Sequence, residues 1–440
     1  MPSPLIPMTQ DLAELNRTES YDTVSTRTKA NVNIAGRIST TSTTAERKRG
    51  CTEMEAIEIP PAKIPLVRSS SWETSLSEAF SDGNVSTGTT TDTVPSDDQS
   101  SIKSTSVNIP DMFSSIMSVE PLLNPHYEKV KVEADAWAAM VYKLDENKAK
   151  RNAKADFAYM NAIWAPDADE EAFRMMVDWH HWVFAFDDQF DEGHLKDDPS
   201  LAQAEIDATI AIMTDEQAPI SIESNPIRHV FQTTWKRLQK RAGPEQQERW
   251  IKNHKDYFTG LIRQVEIQKT QKKLSVDEYI DFRRQSIGAM PSCSLVEYAC
   301  GIDISQSVLD HPSIVECEKI SADLVFLVND VLSLRKDLEY DVEHNLIILL
   351  KKQGLSDQEA VERIGDMLDD CYRRWYRALA EMPIWGEEID RQVLKYVDGC
   401  RNIALGNLYW SYKSGRYLKE EGPEVRATRV LNLPIWSPST

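Results

Sequence analysis

The chain has 440 residues, 41% of them hydrophobic, and a formal net charge of -20 at pH 7. This hydrophobic content is sufficient for a sizeable core, whereas the acidity argues against a protein that binds nucleic acid or anionic lipid through its overall charge. No apolar stretch approaches the ~18 residues of a membrane span, so we expect no stable insertion into a membrane. A small anionic substrate is not excluded, because bound cations can reverse the field in one cleft.

The six cysteines are widely spread and form neither a C-x-x-C pair nor a zinc-binding spacing. This pattern argues against a disulfide framework and favours a reducing compartment. The N-terminal sequence "MPSPLIPMTQDLAELNRTES" lacks the basic region and the following apolar region of a secretory signal. We therefore expect a cytoplasmic protein.

The first part of the chain has the composition of a segment without a core. Residues 1–108 are rich in Ser, Thr, Asp and Pro, as in "STTSTTAERKRG". Such a segment cannot bury enough apolar surface to offset the entropy that is lost on ordering. We predict that residues 1–108 are a disordered leader.

From about residue 121 onwards, apolar residues recur at helical spacing, as at Val130, Ala134 and Ala138. Further helical patterns run through residues 201–214, 226–241, 244–269, 275–288, 292–300, 314–339, 356–380 and 387–414. Strand alternation and hairpin dipeptides are nearly absent, and there is no internal repeat. The sequence therefore predicts an all-α, single-domain helical bundle over residues 121–425, followed by a C-terminal tail of residues 426–440.

A dense acidic cluster, "FAFDDQFDEG", follows an apolar run inside this region. Asp187 and Asp191 are four residues apart and lie on one helical face, with Asp188 beside them. Carboxylates this close repel each other, and the dipole at a helix C-terminus adds to the penalty, so a bound cation would relieve it. Val183 and Phe184 lie one turn earlier, so the acidic cluster would lie at the end of an apolar surface. Such a surface suits a hydrophobic substrate with an ionic head group. The alternative is a solvated acidic helix end.

A second polar group interrupts the apolar helix "LVFLVNDVLSLRKDLEY". Asn329, Ser333 and Asp337 follow one another at intervals of four and form a stripe of oxygen ligands. Magnesium prefers hard oxygen ligands and leaves positions open for phosphate oxygens and water. The alternative is a set of buried polar groups that are satisfied within the bundle.

Basic residues occur near both groups. Arg283 and Arg284 lie in "DEYIDFRRQSIGAMPS", Lys336 adjoins the second polar group, and Arg416 lies in "NLYWSYKSGRYLKEE". Each is by itself most often a surface charge, but together they supply the fork-shaped and point-charge donors that a diphosphate needs beside bound metal.

These residues resemble the class I terpene synthases (terpene cyclases), particularly the fungal sesquiterpene synthases. "DDQFD" is similar to the family's D-D-x-x-D motif, and "NDVLSLRKD" is similar to its N-D-x-x-S-x-x-x-E motif. "RRQSIG" resembles the segment with the diphosphate-sensing arginine, and "RY" resembles the C-terminal Arg-Tyr pair. The four motifs occur in the family's order, and the resemblance implies the class I terpenoid synthase α-domain.

The resemblance implies three Mg²⁺ ions. It assigns them to two groups of ligands: Asp187 assisted by Asp188 or Asp191, and Asn329 with Ser333 and Asp337. The last ligand departs from the family pattern, because Asp337 stands where Glu is usual. Its side chain is one methylene shorter, so we expect that ion to be bound more weakly or through a water.

The same resemblance implies roles in binding the substrate. Arg283 would sense the diphosphate, with Arg284 as the competing assignment, and Ser286 and Ile287 would act as linker and effector. Hydrogen bonds to the diphosphate would come from Lys336, Arg416 and Tyr417. The aromatic wall of the pocket would come from Phe184, Trp410 and, as a further candidate, Trp164. The neighbouring His180 and His181 are interpreted as core or surface histidines.

The implied function is Mg-dependent ionisation and cyclisation of an allylic isoprenoid diphosphate by a carbon–oxygen lyase. Farnesyl diphosphate is the expected substrate, with geranyl diphosphate as the alternative, and the products would be a sesquiterpene hydrocarbon or alcohol and diphosphate. A chain-elongating prenyl synthase would need a second D-D-x-x-D segment, which is absent here. From another class, a helical interaction protein with degenerate metal motifs remains an alternative. The enzyme would be a monomer or a homodimer.

Overall fold

The computed structural model describes residues 104–214 and 217–434. Their α-helices are α1 (Tyr127–Val141), α2 (Glu146–Ala155), α3 (Phe157–Trp164), α4 (Glu170–Asp191), α5 (Pro199–Thr214), α6 (Pro226–Gln239), α7 (Pro244–Thr270), α8 (Val276–Ser286), α9 (Ala289–Ala299), α10 (Gln306–Leu309), α11 (Pro312–Leu332), α12 (Leu334–Glu339), α13 (Leu346–Lys352), α14 (Asp357–Ala380), α15 (Glu387–Lys413) and α16 (Gly422–Thr428). Short 3-10 helices cover Ser115–Met117 and Lys419–Glu421. The predicted all-α class is confirmed.

Two short strands are the exception to the helical architecture. Strand β1 (Ser104–Asn108) pairs antiparallel with β2 (Val430–Pro434), so that Ser104 lies opposite Pro434 and Asn108 lies opposite Val430. The prediction of disorder is therefore wrong for residues 104–108, because their backbone finds its hydrogen-bond partners in the predicted C-terminal tail. Residues 1–103 of the predicted leader lie outside the described residues.

None of the helices in the described part of the chain is long and apolar enough to cross a membrane. The cytoplasmic location stays a prediction.

The centre of the bundle is built on α11 and α15, which pack against each other. Helix α11 is buried over most of its circumference, as its continuous apolar sequence requires. Helix α14 covers the outer side of α11 and buries one face only. Helix α3 packs on α15 and on α4. The polar residues of α4 and α11 are therefore carried by helices whose positions are fixed by core packing.

Helix α4 begins favourably and ends unfavourably. The side chain of Asp169 caps its N-terminus by accepting a hydrogen bond from the backbone N–H of Ala172, and Glu170 and Glu171 complement the positive end of the dipole. At the other end the acidic residues 187–191 meet the negative end of the dipole and are largely buried. The fold thus places several buried negative charges at the C-terminal end of α4, where the helix dipole makes them unfavourable.

Predicted helix boundaries are wrong at two breaks, one at Ser333 and one at Gly288, where the predicted helix 275–288 already ends at Ser286. The predicted helix 314–339 is interrupted at Ser333, although its N–H still donates to the carbonyl of Asn329 at 2.7 Å and its carbonyl accepts from Asp337 at 2.9 Å. The predicted helix 292–300 begins at Ala289, directly after Gly288. Gly288 has φ +76°, a conformation that favours glycine.

The break between α8 and α9 is held against α7 by a close approach at Gly260. A methyl group on Gly260 would lie 2.7 Å from the backbone nitrogen of Ser286 and 2.8 Å from the carbonyl carbon of Gln285. Backbone cannot move aside as a side chain can, so only glycine allows α7 to pack at this distance.

We predict that Gly260→Ala destabilises the protein by about 1–3 kcal/mol, because the added methyl group overpacks a backbone contact. The free energy of unfolding, measured with urea, checks this. Gly243→Ser is the control, because nothing lies within 4 Å of a side chain there and serine is a favoured residue before a helix. Equal stability of the two variants would contradict the prediction.

Candidate active site

A cavity with about 910 Å³ of empty space, including the solvent at its opening, lies between α4, α8, α9, α11, α12 and α15. Both oxygen-rich groups of the sequence border it: Asp187 and Asp191 from α4, and Asn329, Ser333 and Asp337 from the α11–α12 junction. The structure therefore brings together two groups that are more than 130 residues apart in the sequence.

The two cavity-facing carboxylates of α4 are held by side chains that the sequence patterns did not single out. The hydroxyl of Tyr257 donates to Asp187 at 2.7 Å, and the amide of Gln264 donates to Asp191 at 2.5 Å. The Nε2 atom of His344 lies 3.2 Å from Asp191. Burial, reinforced by the charge of Asp191, raises the pKa of Asp187 well above its usual value. Burial also acts to raise the pKa of Asp191, but the contact with His344, together with the charges of Lys336 and Arg283, outweighs it and lowers that pKa.

Asp188 faces a different partner. Its carboxylate accepts a hydrogen bond from Arg416 at 2.8 Å, and the guanidinium of Arg416 lies 4.9 Å from the ring centre of Phe184. Asp188 is not among the residues that border the cavity. Of the two predicted assistants of Asp187, the geometry therefore favours Asp191 as a ligand and leaves Asp188 to orient Arg416.

The second group is organised by hydrogen bonds among its own members and their neighbours. Ser333 donates to Asp337 at 2.6 Å, and Asn345, which sequence reasoning missed, donates to the same carboxylate at 2.8 Å. The amide of Asn329 donates to the hydroxyl of Tyr417 at 3.0 Å. Burial raises the pKa of Asp337. The group is thus a set of oxygens oriented by hydrogen bonds, and its one carboxylate, that of Asp337, is buried away from solvent.

The structure separates the two candidate arginines of α8. Arg283 borders the cavity and donates to Asn329 at 3.1 Å and to the buried carboxylate of Asp330 at 3.0 Å. Arg284 points to another side of the helix, where it forms two hydrogen bonds with Asp323 at 2.6 and 2.9 Å. The geometry therefore favours Arg283 as the residue that meets a substrate.

Lys336 is joined to α4 by an ion pair with Glu192, a residue that the sequence reasoning did not assign. Both side chains are largely buried, at 15% and 5% exposure. Burial and the charge of Asp188 raise the pKa of Glu192 to about 7. This pair and the contact of His344 with Asp191 tie the acidic end of α4 to the segment after α11.

The apolar part of the cavity agrees with the predictions in part. Val183, Phe184, Ser286, Ile287 and Trp164 border it, as predicted. Trp410, which is predicted to form part of the wall, is not among the residues that border the cavity. Its ring lies behind Phe184, with a centroid distance of 5.4 Å, and its Nε1 donates to the carbonyl of Ala155. Helical periodicity in the sequence cannot distinguish a residue that borders the cavity from a core residue that packs behind it.

Of the two neighbouring histidines, His180 borders the cavity, whereas His181 lies 3.4 Å from Asp135 and is not part of the cavity wall. Both are buried at 2% exposure.

The donors fit magnesium that is shared with a ligand. Within residues 104–214 and 217–434, no three His, Cys, Asp or Glu side chains converge on one point that could hold an ion alone. The site instead presents a carboxylate pair and, across the cavity, one carboxylate with an amide and a hydroxyl oxygen. Magnesium takes one or two carboxylates and completes its octahedron with water and phosphate oxygens. The set present here is of that kind.

Comparison with known proteins agrees with this chemistry. A family model described as "Terpene synthase family 2, C-terminal metal binding" matches residues 178–374, which include both oxygen-rich groups. The chain is 46% identical to (+)-eremophilene synthase of Gibberella fujikuroi over 337 residues, which are 76% of this chain and 94% of that protein. It is 29% identical to sesquiterpene synthase 2 of Postia placenta over 339 residues, which are 76% and 98% of the two chains.

Among solved structures, α-eudesmol synthase superposes with a TM-score of 0.60 at 20% identity, covering 68% of this chain and 98% of that one, which shows a shared fold. Fold, site and relatives together define a metal-binding enzyme of isoprenoid chemistry. The chain belongs to the terpene synthase family, whose members are lyases that act on prenyl diphosphates and depend on divalent metal.

We predict that Tyr257→Phe lowers the apparent affinity for Mg²⁺ by about 10–100-fold, because the hydrogen bond that orients Asp187 is lost. The concentration of Mg²⁺ that gives half-maximal diphosphate release checks this. Tyr412→Phe is the control, since the hydroxyl of Tyr412 contacts the sulfur of Met112 at 3.9 Å and is remote from the carboxylates. An unchanged Mg²⁺ requirement in Tyr257→Phe would contradict the prediction.

Proposed function

We propose that this terpene synthase ionises farnesyl diphosphate with three Mg²⁺ ions and cyclises the resulting cation to a sesquiterpene hydrocarbon or alcohol, with release of diphosphate. The observation that carries the proposal is that two oxygen-rich groups and several basic side chains border one cavity whose other walls are mainly aromatic and aliphatic. Such a cavity suits a substrate with an anionic head and a long apolar tail. The name of the Postia placenta relative supports the C15 chain length.

The metal ions would be held by Asp187 and Asp191 on one side and by Asn329, Ser333 and Asp337 on the other. When bound, Mg²⁺ neutralises the charge that develops on the leaving diphosphate. The chain already orients these ligands, because Asp187, Asp191, Ser333 and Asp337 each form a hydrogen bond with a neighbouring side chain. Oriented dipoles in a water-poor site stabilise developing charge without the cost of reorganisation.

The diphosphate would be bound by Arg283, Lys336, Arg416 and Tyr417. Three of these donors are each held by a carboxylate: Arg283 by Asp330, Lys336 by Glu192 and Arg416 by Asp188. The arginine guanidinium has more donors than one carboxylate can fill, so the remaining N–H groups are available to phosphate oxygens. The carboxylates thus fix the positions of the basic side chains that would bind the leaving diphosphate.

The break between α8 and α9 would link diphosphate binding to the hydrocarbon end of the substrate. Arg283, Ser286 and Ile287 follow one another along the cavity wall, and the hydroxyl of Ser286 is buried without a hydrogen-bond partner. A buried hydroxyl without a partner carries a cost that a ligand can remove. These three residues therefore connect the head-group donors to the part of the cavity that receives the chain.

The proposal is tested by incubation of the full chain with geranyl, farnesyl and geranylgeranyl diphosphates plus Mg²⁺. Release of diphosphate is followed by an enzyme-coupled assay, and volatile products are identified by gas chromatography and mass spectrometry. We expect C15 products from farnesyl diphosphate and none when Mg²⁺ is chelated. Asp187→Asn should abolish turnover while the helical circular dichroism spectrum is kept. Preference for another chain length, or full activity of Asp187→Asn, would contradict the proposal.

The two arginines of α8 provide a second test. We predict that Arg283→Gln lowers kcat/KM for farnesyl diphosphate by about 100-fold or more, because a fork-shaped donor to the leaving group is lost. Arg284→Gln should keep kcat/KM within about threefold and lower the melting temperature instead, because the buried carboxylate of Asp323 loses a partner. The reverse pattern would assign diphosphate binding to Arg284.

A further inference from the structure

The apolar end of the cavity carries one basic atom that the mechanism above does not use. His180 borders the cavity and lies seven residues before Asp187 on α4. Seven residues are two helical turns, so the two side chains share a face and are about 10 Å apart along the helix axis. The ring of His180 stands beside those of Trp164 and Trp179, with centroid distances of 4.7 and 5.0 Å. It therefore faces the part of the cavity away from the acidic residues.

The hydrogen bond of the ring fixes which nitrogen carries the proton. The Nδ1 atom of His180 lies 2.9 Å from the carbonyl oxygen of Met176. A carbonyl oxygen can only accept, so Nδ1 is the donor and Nε2 carries a lone pair. Burial lowers the pKa of His180 to about 3, so the ring is neutral at neutral pH.

No side chain of the described residues donates a hydrogen bond to this lone pair. The indole N–H of Trp179 donates to His254 at 3.0 Å, and that of Trp164 has no acceptor. His254 is an internal comparison, because its Nδ1 lies 2.8 Å from the carbonyl of Trp250 in the same way, yet its Nε2 is filled by Trp179. The Nε2 of His180 is not among the fully enclosed atoms that lack a partner. It therefore keeps an accessible surface, and the open space that His180 borders is the cavity.

We propose that His180 is the base that takes the terminating proton from the cyclised carbocation, an inference that rests on the proposed function. Nε2 would form a bond to a hydrogen on the carbon next to the cationic centre. The electron pair of the broken C–H bond becomes the π bond of the product alkene, and the imidazolium passes its proton to water when the cavity opens. A carbocation is a very strong acid, so a neutral imidazole is basic enough even where burial makes it a poor base toward water.

The other candidate bases are farther away or weaker. A diphosphate held by the groups near Asp187 would lie about two helical turns from His180, too far for direct proton transfer to the deep end of the cavity. The hydroxyl of Ser292, also on the wall, donates to the carbonyl of Gly288 at 2.8 Å. The amide of Asn407 has an oxygen of low basicity. Histidine is also the side chain that most often serves as a general base.

The test compares His180→Phe with His181→Phe. Phenylalanine keeps the aromatic volume at position 180 and removes the lone pair. His181 is the matched control, because it is the next residue of the same helix, is equally buried and is not part of the cavity wall. Each protein is incubated with farnesyl diphosphate and Mg²⁺, and diphosphate release and the product mixture are measured separately. His180→Asn, which can still donate a hydrogen bond, is the second variant.

We expect His180→Phe to release diphosphate within about threefold of the wild-type rate, while the share of the main wild-type hydrocarbon falls by about tenfold or more. His181→Phe should keep the wild-type product mixture. The proposal is overturned if His180→Phe yields that mixture unchanged, or if the wild type forms only alcohols. It is also overturned if both variants at 180 fold but release no diphosphate, since His180 would then act in ionisation. A wild type that releases no diphosphate would instead contradict the proposed function.

Discussion

Negative charge buried at the end of α4 is the constraint on which the site depends. Asp187 and Asp191 are on one helical face, at the negative end of the helix dipole, with most of their water removed. Within the chain the repulsion is eased in two ways: the pKa of Asp187 is raised, and Asp191 pairs with His344. Neither removes the cost of burial, and a divalent cation does. In the proposed function, this point of the fold is where a divalent metal ion would bind.

The same constraint explains why so many charges of the site come in pairs. Arg416 with Asp188 and Lys336 with Glu192 are mostly buried pairs. Such pairs add little to the stability of a fold, because desolvation offsets most of their attraction. In the proposed function their value is geometric, since each holds a cationic donor on the cavity wall where the diphosphate would bind. Stability comes instead from the apolar packing of α11, α14 and α15.

The sequence predicted the parts of the site that repeat at a helical interval or cluster in one segment. The acidic cluster of α4 and the stripe at Asn329 were visible because several polar residues interrupt an apolar helix at a fixed spacing. Tyr257, His344 and Glu192 could not be found in this way. Each is a single polar residue, and only the crossing of two helices brings it to its partner. The sequence also could not show that Trp410 lies behind Phe184, because both have the periodicity of a buried face.

One helix face joins the two chemistries that a cyclase must keep apart. Along α4 the residues that border the cavity run from His180 through Val183 and Phe184 to Asp187 and Asp191. In the proposed function the acidic end would favour charge separation, because bound metal and fixed dipoles would replace water there. Two turns earlier the wall is aromatic, so it can attract a cation by up to ~2 kcal/mol or more without forming a bond to it. In the proposed reaction a carbocation formed at the acidic end would be stabilised by the aromatic wall at the other end, and the product would depend on which wall atoms the cation contacts before it loses a proton.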